Sequence, residues 1–131
     1  MPAHIPRSEY EGNLHPIVPK SVTRPDIVNH EHASDATRYL LPVLFTSHQG
    51  TQLVMRYPGF GVIHILEGEI QYEDMVTPGG PPTIMRAGSV AYFEPNSCVR
   101  WHCASASGAQ GFGVFDVPVS VKSCDEFVVS N

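Results

Sequence analysis

From Thr37 onward the chain alternates short apolar runs with turn residues. Tyr39 to Phe45 is an apolar run broken by Pro42, which cannot donate to a ladder and so points to a strand with an edge or a bulge. Ser47-His48-Gln49-Gly50 reads as a turn, Gln52 to Tyr57 as a strand, and Pro58-Gly59 as the next turn. Gly61 to Tyr72 is the strongest strand pattern, a pair interrupted at Glu67-Gly68. After a Gly/Pro loop over 77–82 come short strands at Thr83 to Arg86, Ser89 to Phe93 and Val99 to Ala104. Ala87-Gly88 and Pro95-Asn96-Ser97 turn the chain between them. Ser105 to Gly111 is a small-residue loop, Phe112 to Val121 a long strand, and Glu126 to Val129 a candidate edge strand. Eight to ten short strands at this spacing predict an all-β jelly roll or sandwich.

Residues 1–36 follow no such pattern. Prolines recur at Pro2, Pro6, Pro16 and Pro19, and apolar residues such as Ile5, Leu14 and Ile27 come singly. A segment like this has little to bury alone. It reads as an N-terminal arm, along a sheet edge or across to a partner subunit, leaving residues 37–131 as one domain.

Composition narrows the classes. With 12 Pro and 11 Gly in 131 residues, and Val and Ile outnumbering Leu and Ala, a helical bundle is excluded. The formal net charge is −5, and Lys20 and Lys122 are the only lysines, so there is no basic stripe for nucleic acid. Acidity also argues against an anionic membrane surface, and the longest apolar stretches are too short to span a bilayer. No signal peptide is visible near the start. Cys98, Cys103 and Cys124 fit no zinc spacing and read as reduced thiols of a cytoplasmic protein.

Val62-Ile63-His64-Ile65-Leu66-Glu67-Gly68-Glu69-Ile70 resembles the first signature strand of a cupin. Gly50 to Pro58, leading into it, is similar to the small cupins of the ethanolamine-utilisation and ureidoglycine-aminohydrolase group. Ala87-Gly88-Ser89-Val90-Ala91-Tyr92-Phe93-Glu94-Pro95-Asn96 resembles the second signature. The likeness covers about residues 38–118 and implies a cupin-like jelly-roll barrel. It also implies a metal site of His-x-His, a Glu and a further His. Counted from Gly68, the Glu place falls at Gly61 and the His-x-His places near Arg56 and Pro58; counted from Pro95, the last His falls at about Val99. None of these four is an imidazole or carboxylate of the kind that holds a first-row metal. No cofactor is therefore expected.

Other histidines offer chemistry. His30-Glu31-His32 would share one strand face, with Asp35 nearby, as an alternative metal site. His64 and His102 lie within apolar strands and are candidate acid and base, since imidazole works in both directions near neutrality. The family pattern turns Gly61, Ile63 and Ile65 inward and both histidines outward; a bulge at Gly59 or Gly61 would reverse His64. Tyr92 and Glu94 share a strand face, Glu94 beside Pro95 as a rim residue at a pocket mouth or a solvated strand end, and Tyr92 as a hydroxyl donor to a carbonyl or a core-packing ring. Arg56 and Arg100 are strand-embedded cations able to clamp a carboxylate or to pair with Glu69 or Glu73, and Trp101 is a core or pocket wall. Ser105 to Ser107 lack a nucleophile elbow, and Gly79-Gly80-Pro81-Pro82 lacks the residues of a phosphate loop.

The expectation is a small-molecule enzyme doing metal-independent acid–base chemistry in the barrel cavity, as an isomerase, dehydratase, cyclase or other lyase. Its catalytic residues would be His64, His102, Tyr92 and Glu94, with Arg56 and Trp101 binding substrate. The alternatives are a metal-dependent, dioxygenase-like cupin using His30, His32 and other histidines, or a non-catalytic ligand-binding or dimerisation module. The expected partner is a second copy of the chain, in a homodimer.

Overall fold

The computed structural model describes residues 4–9, 20–21 and 37–129. Eight strands run in chain order: β1 Lys20–Ser21, β2 Arg38–Ser47, β3 Gln52–Arg56, β4 Gly61–Asp74, β5 Thr83–Arg86, β6 Val90–Phe93, β7 Cys98–His102 and β8 Ala109–Pro118. All pairings are antiparallel. One sheet runs β1-β2-β8-β4-β6, and the second is built from β5, β4, β7 and β3. β4 belongs to both. Its first half pairs with β8 and β6, and its second half with β5 and β7.

The expected strand pair at Gly61 to Tyr72 is one continuous strand with a bulge. Register against β8 shifts between Ile65 and Glu67. An inserted residue reverses side-chain parity. Gly61, Ile63 and Ile65 are buried before it, and Ile70 is buried after it. Glu67-Gly68 therefore carries the strand from one sheet to the other instead of ending it. Gly68 has φ +79, and a Cβ there would lie 2.0 Å from Gly108 O, so only glycine fits this corner.

The C-terminal segment also differs from expectation. Cys124–Phe127 is a 3-10 turn, with only a single bridge between Met55 and Val128 beyond it. Ser123 and Glu126 form a reciprocal capping box that satisfies the free N–H groups of the turn. The turn inserts Cys124 and Phe127, both buried, into the open side of the barrel.

The interior is aromatic. Tyr57, 1% exposed, stacks on Phe115 at 4.8 Å between ring centroids and meets Phe93 at 4.9 Å and the edge of Phe127 at 5.5 Å. Trp101 Nε1 donates to the Tyr57 hydroxyl at 2.8 Å, which in turn points at Met55 Sδ 3.7 Å away. Polar atoms buried among these rings are thus partnered, as a low-dielectric core requires. Among the described residues, no helix is long and apolar enough to cross a membrane.

Candidate functional site

The barrel axis is largely filled. The space left between Thr51, Leu53, Tyr57, Ile70 and Trp101 is about 30 Å³, enough for roughly two waters. Met55 and Tyr57 face inward here, and Val99 is buried in the same core. The count from the family motif placed two metal-ligand positions near Arg56 and Pro58. Strand alternation corrects it: Arg56 is exposed, Pro58 is half-buried, and the inward neighbours are Met55 and Tyr57. At Gly61, Phe115 occupies the side-chain space, its Cδ1 only 2.2 Å from where a Cβ would sit. A thioether, a buried phenol, a glycine under a ring and a valine do not fit a cupin-type metal. Among the described residues, no three His, Cys, Asp or Glu side chains gather in a way that could hold one.

Burial raises three interior pKa values, those of Tyr39, Tyr57 and Cys103. The Tyr57 phenol is pushed well above its ordinary range, and the hydrogen bond from Trp101 only partly offsets this. The Cys103 thiol is also pushed up by burial, against a weaker effect from the Ser105 carbonyl. All three groups stay protonated at neutral pH. None is poised as a nucleophile or base.

His64 and His102 are not brought together. His64 lies between buried Ile63 and Ile65, opposite Phe112 and Val90, on the outer face of the first sheet. His102 lies between buried Trp101 and Cys103, opposite Gln52 and Gln71, on the outer face of the second. The bulge in β4 falls after His64, between Ile65 and Glu67, and does not reverse it. The expected acid–base pair in the barrel cavity is therefore not formed by these two. Trp101 is a core wall, as one of its two readings held. Arg100 pairs with Glu73 at 3.7 Å, the structural alternative to clamping a carboxylate. The His30-Glu31-His32 pair, Asp35 and most of the expected arm lie outside the described residues.

Tyr92 and Glu94 do converge. A cleft of about 400 Å³ opens at the barrel rim, walled by Tyr72, Tyr92, Phe93 and Val99 and edged by Asp74 and Glu94. Its floor is the turn from Glu94 to Ser97, where Glu94 O accepts from Ser97 N at 3.1 Å and from Ser97 Oγ at 2.6 Å. Asn96 in this turn has φ 68, the one left-handed non-glycine among the described residues. Its backbone is pinned to Tyr57 by Asn96 N to Tyr57 O at 2.8 Å and Tyr57 N to Ser97 O at 2.9 Å. On the far side of the same turn lies a hollow of about 330 Å³ holding Arg56, Pro58, Asn96 and Glu126. Arg56 there reaches Asn96 O at only 3.5 Å. Glu126 is occupied by the Lys122 and Ser123 N–H groups. Sequence reasoning missed Tyr72, Asp74 and Asn96. The Pro-Asn-Ser turn was a signal for Asn96, but the other two enter through the β4 bulge.

No family model matches the sequence, and no curated protein does. Solved structures do. A cupin-like protein from Thermotoga maritima is 17% identical over 74% of this chain and 65% of its own, with a TM-score of 0.52. The chain has the cupin fold. The EutQ protein of Clostridium difficile is 10% identical over 79% of this chain and 68% of its own, at a TM-score of 0.51. A Rhizobium leguminosarum protein of unknown function is 14% identical over 72% of this chain and 93% of its own, at 0.50. The chain spans just under two thirds of the length of the Thermotoga protein. Likeness at these identities concerns the fold alone.

Proposed function

We propose that this cupin domain binds a small organic molecule in the rim cleft beside the Glu94–Ser97 turn, not along the barrel axis. One observation carries the reading: the axis holds about 30 Å³ and the rim cleft about 400 Å³, and organic ligands take sites of roughly 300–1,000 Å³. The cleft is lined in comparable measure by polar groups, Asp74, Glu94, Asn96 and Ser97, and by the rings of Tyr72 and Tyr92. A fragment library screened by ligand-observed NMR tests it. Hits should broaden the backbone signals of Glu94 to Ser97 and be lost in Tyr92→Ala and Glu94→Ala. Hits that instead perturb Thr51 and Leu53 while sparing the turn would move the site to the axis and end this reading.

A second reading keeps the enzyme. A carboxylate and a phenol share one cleft, so Glu94 could move a proton while Tyr92 donates to a carbonyl oxygen, as in an isomerase or lyase step. Glu94→Gln separates the two. Binding kept with turnover reduced about 10²–10⁴-fold supports proton transfer. Binding without turnover in the unmutated protein leaves a ligand-binding module.

A further inference from the structure

The rim cleft is electrostatically one-sided. Of the described residues that line it, Asp74 and Glu94 are acids, and none is Lys, Arg or His. The strand arginines are placed elsewhere. Arg38, Arg86 and Arg100 are paired with Asp116, Glu69 and Glu73, and Arg56 lies in the hollow across the turn. Neither cleft acid is neutralised. The Glu94 carboxylate makes no hydrogen bond or ion pair among the described residues; its backbone oxygen, not its side chain, takes the bonds from Ser97. Asp74 Oδ1 accepts from Val76 N at 2.8 Å and Thr77 N at 3.3 Å. These bonds orient the carboxylate and leave Oδ2 without a partner among the described residues. Two phenol rings line the same cleft. Tyr72 is held by edge contacts to Phe93 at 5.6 Å and Trp101 at 5.3 Å, while Tyr92 stacks on Phe60 at 6.0 Å and is still 61% exposed. The face of such a ring attracts a cation.

We propose that the molecule taken by the rim cleft is an organic ammonium, its charge set by Asp74 and Glu94 and its apolar body against Tyr72, Tyr92 and Val76. This rests on the reading of the cleft as the binding site and adds the charge class. An anion would meet two uncompensated carboxylates. A neutral molecule would cover them without replacing the water they lose. A bare divalent ion is no better suited: it takes about six to eight oxygen ligands in the case of calcium. Among the described residues, no three His, Cys, Asp or Glu gather to supply them. An ammonium uses both halves of the lining. Its charge compensates the carboxylates as water leaves, and its body covers the rings and the exposed Val76. The formal charge of −5 draws cations toward the chain as a whole.

Three probes with similar bodies and different charges test it: benzylammonium, benzyl alcohol and benzoate, titrated at neutral pH into the isotope-labelled full chain. Benzylammonium should shift the backbone signals of Asp74, Val76 and Glu94 and bind about tenfold more tightly than benzyl alcohol. Benzoate should leave those signals still. Salt at about 1 M should remove most of the advantage of the cation. Asp74→Asn keeps the Oδ1 acceptor of its turn and removes the charge. It should weaken benzylammonium about two- to fivefold, binding staying measurable because Glu94 remains. Glu94→Lys, at an exposed position, should abolish the preference for the cation. Three probes binding alike at these residues, or benzoate binding best, overturns the ammonium assignment and leaves the cleft as a site. A preference unchanged by both substitutions overturns it too. No shift at Asp74, Val76 or Glu94 with any probe also overturns it; the cleft reading falls with it only where uncharged members of the fragment library miss the Glu94–Ser97 turn as well.

Discussion

Tyr57 links the core to the cleft. Its backbone holds Asn96 and Ser97, and its hydroxyl accepts from the one tryptophan. Tyr57→Phe leaves Trp101 Nε1 buried without a partner, which should cost about 1–3 kcal/mol in urea unfolding followed by Trp101 fluorescence. The phenol also sets an alkaline limit. Its folded pKa is raised, so its contribution is fully present below the unfolded phenol value of about 10 and is lost as pH rises from there toward the folded value. Cys103, raised by burial as well, acts in the same sense from its lower ordinary value upward. Stability should decline from about pH 9, and Tyr57→Phe should flatten the upper part of that decline. A wild-type protein whose unfolding free energy is level between neutral pH and strong alkali would contradict this.

Among the elements, β4 decides the architecture. Its bulge lets one strand serve two sheets, and the corner rests on Gly68. Gly68→Ala combines left-handed strain with a backbone clash and should cost about 2–5 kcal/mol. Gly79→Ala, also at positive φ (103) but with nothing within 4 Å, should cost only about 1–2 kcal/mol. Paired thermal melts check the difference, and equal shifts would mean that the corner is not tight. Glu67-Gly68 looked like a strand end because Glu and Gly are poor strand residues; pairing with Gln110 and Ala109 overrides that preference. The terminal turn was legible in Ser123-Cys124-Asp125-Glu126, a capping-box spacing, but Val128-Val129 drew the reading toward a strand.

For the whole molecule, the barrel is a scaffold with a closed centre and an open rim. Chelation tests the closed centre. Dialysis against EDTA should leave the melting temperature unchanged, because Met55, Tyr57, Gly61 and Val99 occupy the places where a cupin would hold a metal. A marked fall, reversed by one divalent metal, would bring back a ligand set such as His30 and His32. Filling the axis with rings gives rigidity and moves any binding outward. The charged face of the second sheet adds little stability, since exposed pairs such as Glu73–Arg100 contribute about 0–1 kcal/mol. It keeps that face wet.

The sequence by itself determined an all-β chain of about eight to ten short strands, which follows from period-two patterning and local turn chemistry, while the cupin fold and the inward turn of Ile63 and Ile65 were implied by the resemblance of the Val62–Ile70 and Ala87–Asn96 segments to the family signatures. Pro95 left Glu94 open between a pocket rim and a solvated strand end, and the structure places it at the cleft edge. Only the tertiary structure decided that His64 and His102 sit on different faces, because that depends on which strands pair and where the bulge falls. Only it showed that Phe115 fills the space above Gly61 and that Tyr72 and Asp74 meet Tyr92 and Glu94. Those contacts join residues about twenty to fifty apart in the chain, where no local pattern reaches and only close packing selects the neighbour.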